Sequence, residues 1–327
     1  MTTPELSFAT ATELLAALPH LLGFVPADDL VALMLGPSQD PLTIPARAAI
    51  HCPITITDEQ AQQFPATCNL TAHQFPAAVL VAVCEPGRDE HALAILNTVR
   101  IAMHERGIAV LRMFTSDGLT EAGQWVDPDT GARGDTIAFT DSPATALGVL
   151  QGRLIAPSRA DIQREFATIE AAPALDAEAQ DIGALIADTA YDLHRIINGF
   201  GDPSPGLAAR AALLVTAHVA LRDGLLRLAL GHELSAGRLW THIAAQHRGR
   251  TRAELLTMAA ITYYAGEDTV RAGMALTHAV AAAHEAGTTL PRLAAMVQAA
   301  LQSGLPPTTI RGVIPSREKT PIPGTDL

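Results

Sequence analysis

The stretch from residue 77 to residue 114 constrains the fold most. Ala77-Ala78-Val79-Leu80-Val81-Ala82-Val83-Cys84 is an unbroken apolar run of strand length, rich in valine. Such a run reads as a strand buried on both faces. Asp89 to Arg106 then carries apolar residues at helical spacing and closes on Gly107, a natural C-terminal cap. Ile108 to Phe114 is again strand-like. Strand, helix and strand in this order make a βαβ unit, with a right-handed crossover and parallel strands expected.

The flanking segments extend that sheet. Residues 10–18 predict a short helix that Pro19 ends or kinks. Pro26-Ala27-Asp28-Asp29 is a turn leading into a strand over Leu30 to Leu35. After a loop over Gly36 to Pro41, Pro45 to Cys52 returns as a second strand, giving a hairpin. Thr57 to Leu70 is helical in part, with Thr57 or Asp58 available as cap. Gln124 to Val126 and Thr136 to Phe139 flank the turn Asp127-Pro128-Asp129-Thr130-Gly131 and predict a second hairpin. Residues 1–155 therefore read as one α/β domain on a mixed sheet.

From Arg159 the pattern changes to alanine- and leucine-rich helical spacing with no convincing strand. Helices are expected over 158–171, 175–198, 205–221, 235–248, 252–265, 268–285 and 289–303, which makes 156–304 an all-helical domain. Short loops predict antiparallel neighbours. Residues 305–327 hold Pro306, Pro307, Pro315, Pro321 and Pro323 and little core material, so they are expected as a flexible tail. Ala260, Tyr263, Ala272, Leu276 and Ala279 fall at the core spacing of a tetratricopeptide helix pair. The proline that ends such a repeat is absent, with His284 in its place. A repeat array and a plain helical bundle both fit.

Composition bounds the class of function. A length of 327 residues suggests two domains, and 48% hydrophobic against 17% charged residues supports a packed core. With 34 acidic and 22 basic residues, the net charge of −12 argues against partners such as nucleic acid or an anionic membrane. Cys52, Cys68 and Cys84 form no C-x-x-C, and an odd count fits no disulfide framework. No basic cluster precedes an apolar run at the N-terminus, and no apolar stretch reaches membrane-spanning length. A soluble, cytoplasmic protein is expected. Lys319 is the only lysine, an arginine bias that a GC-rich genome explains.

Motifs for known chemistry are missing. The chain has no P-loop, no G-x-G-x-x-G after a strand and no G-x-S-x-G elbow. Ser316-Arg317-Glu318-Lys319 matches S-x-x-K in letters alone. The twelve histidines include no H-E-x-x-H; His242 and His247 are five apart, and His278 and His284 six apart. Helical metal pairs need spacings of three or four. Neither a cofactor nor a metal is expected.

The candidate ligand site is the loop Gly23 to Asp29, where Asp28 and Asp29 could accept hydrogen bonds or serve as a base. Arg47, Arg112 and Trp125, from three predicted strands, could converge on one sheet end and suit an anionic or planar ligand. Ser158 is a fitting N-cap for the next helix, with Arg159 as partner for an anion there. Arg222-Asp223-Gly224 reads as an interhelical ion pair with a turn. With Trp240 it is a candidate contact for another protein.

Several segments together resemble a known family. They are Pro19-His20-Leu21-Leu22-Gly23-Phe24-Val25-Pro26-Ala27-Asp28-Asp29-Leu30-Val31, Pro157-Ser158-Arg159, Arg222-Asp223-Gly224, Leu239-Trp240 and the stretch Ala253 to Gly304. In that order, over residues 7–312, the chain resembles the actinobacterial domain of unknown function 4192. The resemblance brings no activity, substrate or catalytic residue with it. The family tends to have His where Val25 stands and Ser where Asp29 stands, which argues against a serine nucleophile in this loop. Two functions are therefore expected to compete. One is a non-enzymatic interaction, assembly or ligand-sensing protein, partnering another protein or itself through its helical half. The other is a binder of, or enzyme on, an anionic small molecule near Asp28, Asp29 and Arg47.

Overall fold

The structure, a computed structural model, describes residues 8–37, 44–173, 181–315 and 322–327. The chain divides into two compact units, Met1–Arg159 and Ala160–Leu327. Part of the 36–41 loop, the start of the helix expected at 175, and Ser316 to Lys319 lie outside the described residues.

The first unit is built on a mixed sheet of strand order β2-β1-β3-β4-β5-β6. Its strands are β1 (Asp29–Leu35), β2 (Ala46–Pro53), β3 (Ala77–Val83), β4 (Ala109–Ser116), β5 (Gln124–Val126) and β6 (Arg133–Asp135). Only β3 and β4 pair in parallel, as a βαβ crossover requires; the other neighbours are antiparallel. Every residue of β1 is buried because it runs between β2 and β3 with both faces covered. Leu30, Ala32 and Met34 join Ala78, Leu80, Ala82 and Met113 in a core against helices α2 (Asp58–Thr67) and α3 (Asp89–Glu105). Helix α1 (Ala11–Leu22) contacts β2 and α4 (Pro143–Leu150).

Two local readings are corrected. Helix α1 runs through Pro19 to Leu22 and ends at Gly23, whose φ of 75° and N–H to the Pro19 carbonyl close it. Burial of Leu15, Leu18 and Leu22 holds the last turn together despite the proline. The second hairpin forms, but β6 is Arg133–Asp135, and Phe139–Asp141 is a 3-10 turn. The 127–131 turn seats its own amides: Asp127 Oδ1 accepts from Asp129 and Thr130.

The second unit is helical throughout its described elements. These are α5 (Arg159–Glu165, which starts at the junction), α6 (Ile182–Ile197), α7 (Leu207–Ala217), α8 (Val219–Arg227), α9 (Glu233–Ala245), α10 (Gly249–Ala265), α11 (Thr269–Glu285), α12 (Arg292–Gln302) and α13 (Pro307–Val313). Helix α10 is the axis, buried from Leu255 to Ala265 without interruption and packed by α9, α11, α12 and α13. Gly237 of α9 backs onto the Tyr263 ring, and Leu234 lies at Gly266, so α9 and α10 run antiparallel. The reading of little core material after 304 is corrected as well. Ile310, Ile314 and Ile322 are buried, and Arg311 donates to the Ala265 carbonyl and pairs with Glu233.

Candidate functional site

The register of the sheet assembles one polar end. Asp29 opens β1 opposite Pro53 of β2 and Val83 of β3; Val83 in turn lies opposite Ser116, and Ser116 opposite Trp125. The carboxyl ends of the parallel strands β3 and β4 therefore meet the Asp28–Asp29 turn, and in α/β sheets that edge is where ligands bind.

Asp28 sits in the left-handed region, φ 54°, which a side chain other than glycine's adopts at a cost. Its carbonyl accepts from Ile54 N–H at 2.8 Å, which fixes the turn. Its Oδ2 pairs with Arg88 Nη1 at 2.8 Å, whereas Oδ1 is shielded and has no hydrogen-bond partner. Asp29 is buried; its Oδ2 accepts from Ala27 N–H, and its Oδ1 lies 3.5 Å from His51 Nδ1, beyond an aligned hydrogen bond. Phe24 meets the His51 ring edge-on at 4.8 Å. Cys84 follows β3, donates its N–H to the Ser116 carbonyl and faces Asp89 Oδ1 at 4.0 Å. Burial, then the charges of Asp89 and Asp28, push its thiol up to about 11. It is thus a neutral, poorly nucleophilic thiol at neutral pH. Burial, then Cys68 and Asp29, push Cys52 up to about 12.

Arg47 is not part of this end. Leu35 pairs with Ala46 while Asp29 pairs with Pro53, so Arg47 lies at the opposite end of the β1–β2 ladder, about 20 Å away at strand rise. The antiparallel hairpin forces this separation, and the expected convergence of Arg47, Arg112 and Trp125 is corrected. Arg112 is engaged by Asp127 at 3.4 Å. Trp125 packs edge-on against Phe114 at 5.6 Å and donates its indole N–H to Thr12 Oγ1. Ser158 and Arg159 stand just after Ala156, which pairs with Phe24 beside the loop, and Arg159 opens α5.

The helical candidates are corrected too. Trp240 is fully buried, so it anchors the core and offers no surface to a partner. Arg222 donates Nε and Nη2 to Asp223 Oδ1, an adjacent-residue pair inside α8, which carries the chain straight through Gly224. What sequence reading missed is Arg88, His51 and Cys84 in the first unit and a buried polar cluster in the second. In that cluster Arg271 forks onto Glu165 (Nη2–Oε1 2.6 Å, Nε–Oε2 2.8 Å) and reaches Asp268 Oδ2 at 2.9 Å. Arg252 donates to the Ala244 and Phe166 carbonyls. Phe166 stacks on His278 at 5.5 Å and meets Tyr263 edge-on at 6.4 Å.

Among the described residues, no group of three or more His, Cys, Asp or Glu side chains is placed to hold a metal. No described helix is long and apolar enough to cross a membrane.

A mixed-sheet α/β unit joined to a helical unit, with an acidic sheet end, defines the class of this protein. A family model described as a domain of unknown function, DUF4192, matches residues 12–308, and the chain belongs to that family. No curated protein and no solved structure matches it.

The strain at Asp28 has a measurable consequence. Asp28→Gly removes the left-handed penalty and leaves the backbone bond to Ile54 in place. It is expected to raise the stability of the first unit by about 1 kcal/mol, read by denaturant melts. A clear loss of stability would show that the Arg88 pair outweighs the strain.

Proposed function

We propose that this chain is a cytoplasmic, non-enzymatic interaction protein whose helical unit holds a protein partner and whose α/β unit serves as a ligand-responsive scaffold. The observation that supports the reading most is an irregular stretch of chain, residues 167–173, bound where α9 ends and α10 begins. It is held there by backbone hydrogen bonds and arginines: Ile169 N–H donates to the Ala245 carbonyl and Ala172 N–H to the Gln246 carbonyl. A helical unit that already holds irregular chain through main-chain and arginine bonds has the chemistry to hold a partner's segment in the same way. The helix-pair positions Ala260, Tyr263, Ala272, Leu276 and Ala279 are all buried, in keeping with that architecture.

Photo-crosslinking tests it. A benzophenone amino acid placed at the exposed Tyr191 or Met296 should trap a discrete partner in the source cells, whereas one at the exposed Leu150 of the first unit should not. Discrete crosslinks from Leu150 alone, or from none of the three, would overturn the reading.

A second reading is favoured by the unpartnered Asp28 oxygen: a small-molecule site at the sheet end. Asp28, Asp29, Glu85, Asp89 and Asp117 stand there against Arg88, so the chemistry suits a cationic hydrogen-bond donor better than the anion expected from sequence. Spermidine or arginine amide should therefore raise the melting temperature of the wild-type chain, and Asp28→Asn should abolish the shift. Phosphate or citrate giving the larger shift would restore the anionic alternative.

A further inference from the structure

The polar cluster of the second unit is built like a receptor whose occupant is part of the same chain. Between Asp161 and Ala172, Ile162 and Phe166 are the only buried side chains. Glu165 takes the fork of Arg271, the Phe166 carbonyl accepts from Arg252 Nη2 at 2.6 Å, and the Ile169 carbonyl accepts from Arg248 Nη2 at 2.8 Å. Ile169 and Ala172 add main-chain bonds to the Ala245 and Gln246 carbonyls. A segment that buries two side chains and leaves most of the others in solvent has few apolar contacts to lose on opening locally.

The receiving side does not depend on the segment for its own order. Arg271 keeps Asp268 as a second anchor, at 2.9 Å, and Arg252 keeps the Ala244 carbonyl, at 2.7 Å. Both guanidiniums thus stay positioned when the segment leaves. Tyr263 and His278, on α10 and α11, line the slot that Phe166 fills. What these groups read is a carboxylate, an aromatic ring on the next residue, and main-chain groups three and six residues beyond that ring. Most of the side chains in between point to solvent.

We infer that this face of α9, α10 and α11 is a docking groove for a protein segment carrying a carboxylate immediately before an aromatic residue, and that residues 161–172, the end of α5 and the irregular chain after it, occupy it in cis until such a segment displaces them. The inference rests on the reading that the helical unit holds a partner, and it names that partner's chemistry. A binding site closed most of the time by its own chain lowers apparent affinity by the fraction open, so loosening the segment strengthens binding in trans.

Two measurements on the full chain decide it. In hydrogen exchange, the amides of Phe166 to Ala172 should exchange at least about tenfold faster than those of α10. A fluorescent peptide with the sequence of residues 160–172 should bind the Phe166→Ala chain at least about tenfold more tightly than the wild type. The same peptide carrying Glu165→Gln and Phe166→Ala should bind neither. Exchange of the segment in step with α10 would make it ordinary core and overturn the inference. So would a Phe166→Ala chain that melts cooperatively yet ignores the peptide; if that variant does not fold, Glu165→Gln takes its place. A wild-type dimer whose segments crosslink in trans would assign the groove to a second copy and overturn the heterologous partner. Peptide failure with crosslinking from Tyr191 or Met296 intact removes the groove and keeps the partner-binding half; loss of both removes both.

Discussion

Replacing Arg271 with methionine is expected to cost the helical unit about 3 kcal/mol, a fall in melting temperature of roughly 6–12 °C for a unit of this size. The guanidinium is 4% exposed and answers two carboxylates from different parts of the unit, Glu165 before α9 and Asp268 at the start of α11. Burial alone would lower its affinity for a proton. The hydrogen bonds and charges of Glu165 and Asp268 more than reverse this and hold the pKa above the ordinary arginine value. Methionine fills the volume but leaves Asp268, with 15% of its side chain exposed, without that cation. Stranding a buried charge is the expensive part of breaking such a pair.

The two partners should not respond alike. The Glu165 side chain is 35% exposed and can recover water when Arg271 is gone, whereas Arg271 is enclosed. Glu165→Gln should therefore cost only about 1 kcal/mol, since solvent screens its half of the bridge. Arg271→Lys should fall between the two substitutions, because an ammonium cannot fork onto both carboxylate oxygens. Denaturant melts of the three variants check the order. Equal costs for Arg271→Met and Glu165→Gln would mean that the bridge behaves as a surface pair.

The sequence reading succeeded where one residue pattern maps to one structure. The valine-rich run of β3, the amphipathic α3 and the apolar β4 carry their periodicity openly, and the parallel β3–β4 pair follows from the order of elements. Asp28 and Asp29 were also legible, because a turn before a buried strand places them at a sheet end. Arg88 was missed, although its place in the loop Cys84 to Asp89, between a strand and the helix that follows it, was a usable signal, since βα loops carry sites. Arg47 was misplaced because a sequence does not state which strand ends lie together until the register is known. Trp240 was misread because its helix, α9, is packed on more than one side, and only tertiary burial tells an anchor from an exposed aromatic. The Arg271 cluster was illegible for another reason. Asp268 and Arg271 are three residues apart, but Glu165 stands 106 residues before Arg271, and no local spacing links it to them.

Acidification is expected to unfold the α/β unit earlier than its carboxylates alone would dictate, through His20. This residue lies in the last turn of α1, 6% exposed, with no hydrogen-bond partner on Nδ1. Gly148 of α4 stands so close that a Cβ there would lie 2.4 Å from that nitrogen. Burial first, then the charge of Arg153, lowers the pKa of His20 to about 4 from an ordinary 6.5. The folded state thus holds the neutral ring, and the unfolded chain takes up the proton first. Stability is complete above pH 6.5, declines as pH falls from 6.5 toward 4, and levels off below, because protonation of the folded form then catches up. A shift of this size corresponds to about 3 kcal/mol at the bottom of the window. His247 and His278, both lowered chiefly by burial, add a decline of the same sign in the helical unit. Denaturant melts at pH 7.5, 6, 5 and 4, following the first unit, should show the fall in the wild type and a much flatter curve in His20→Leu. At pH 7.5 that substitution should cost little, since the Nδ1 it removes has no partner to lose. An unchanged slope in His20→Leu would place the acid sensitivity elsewhere in the unit.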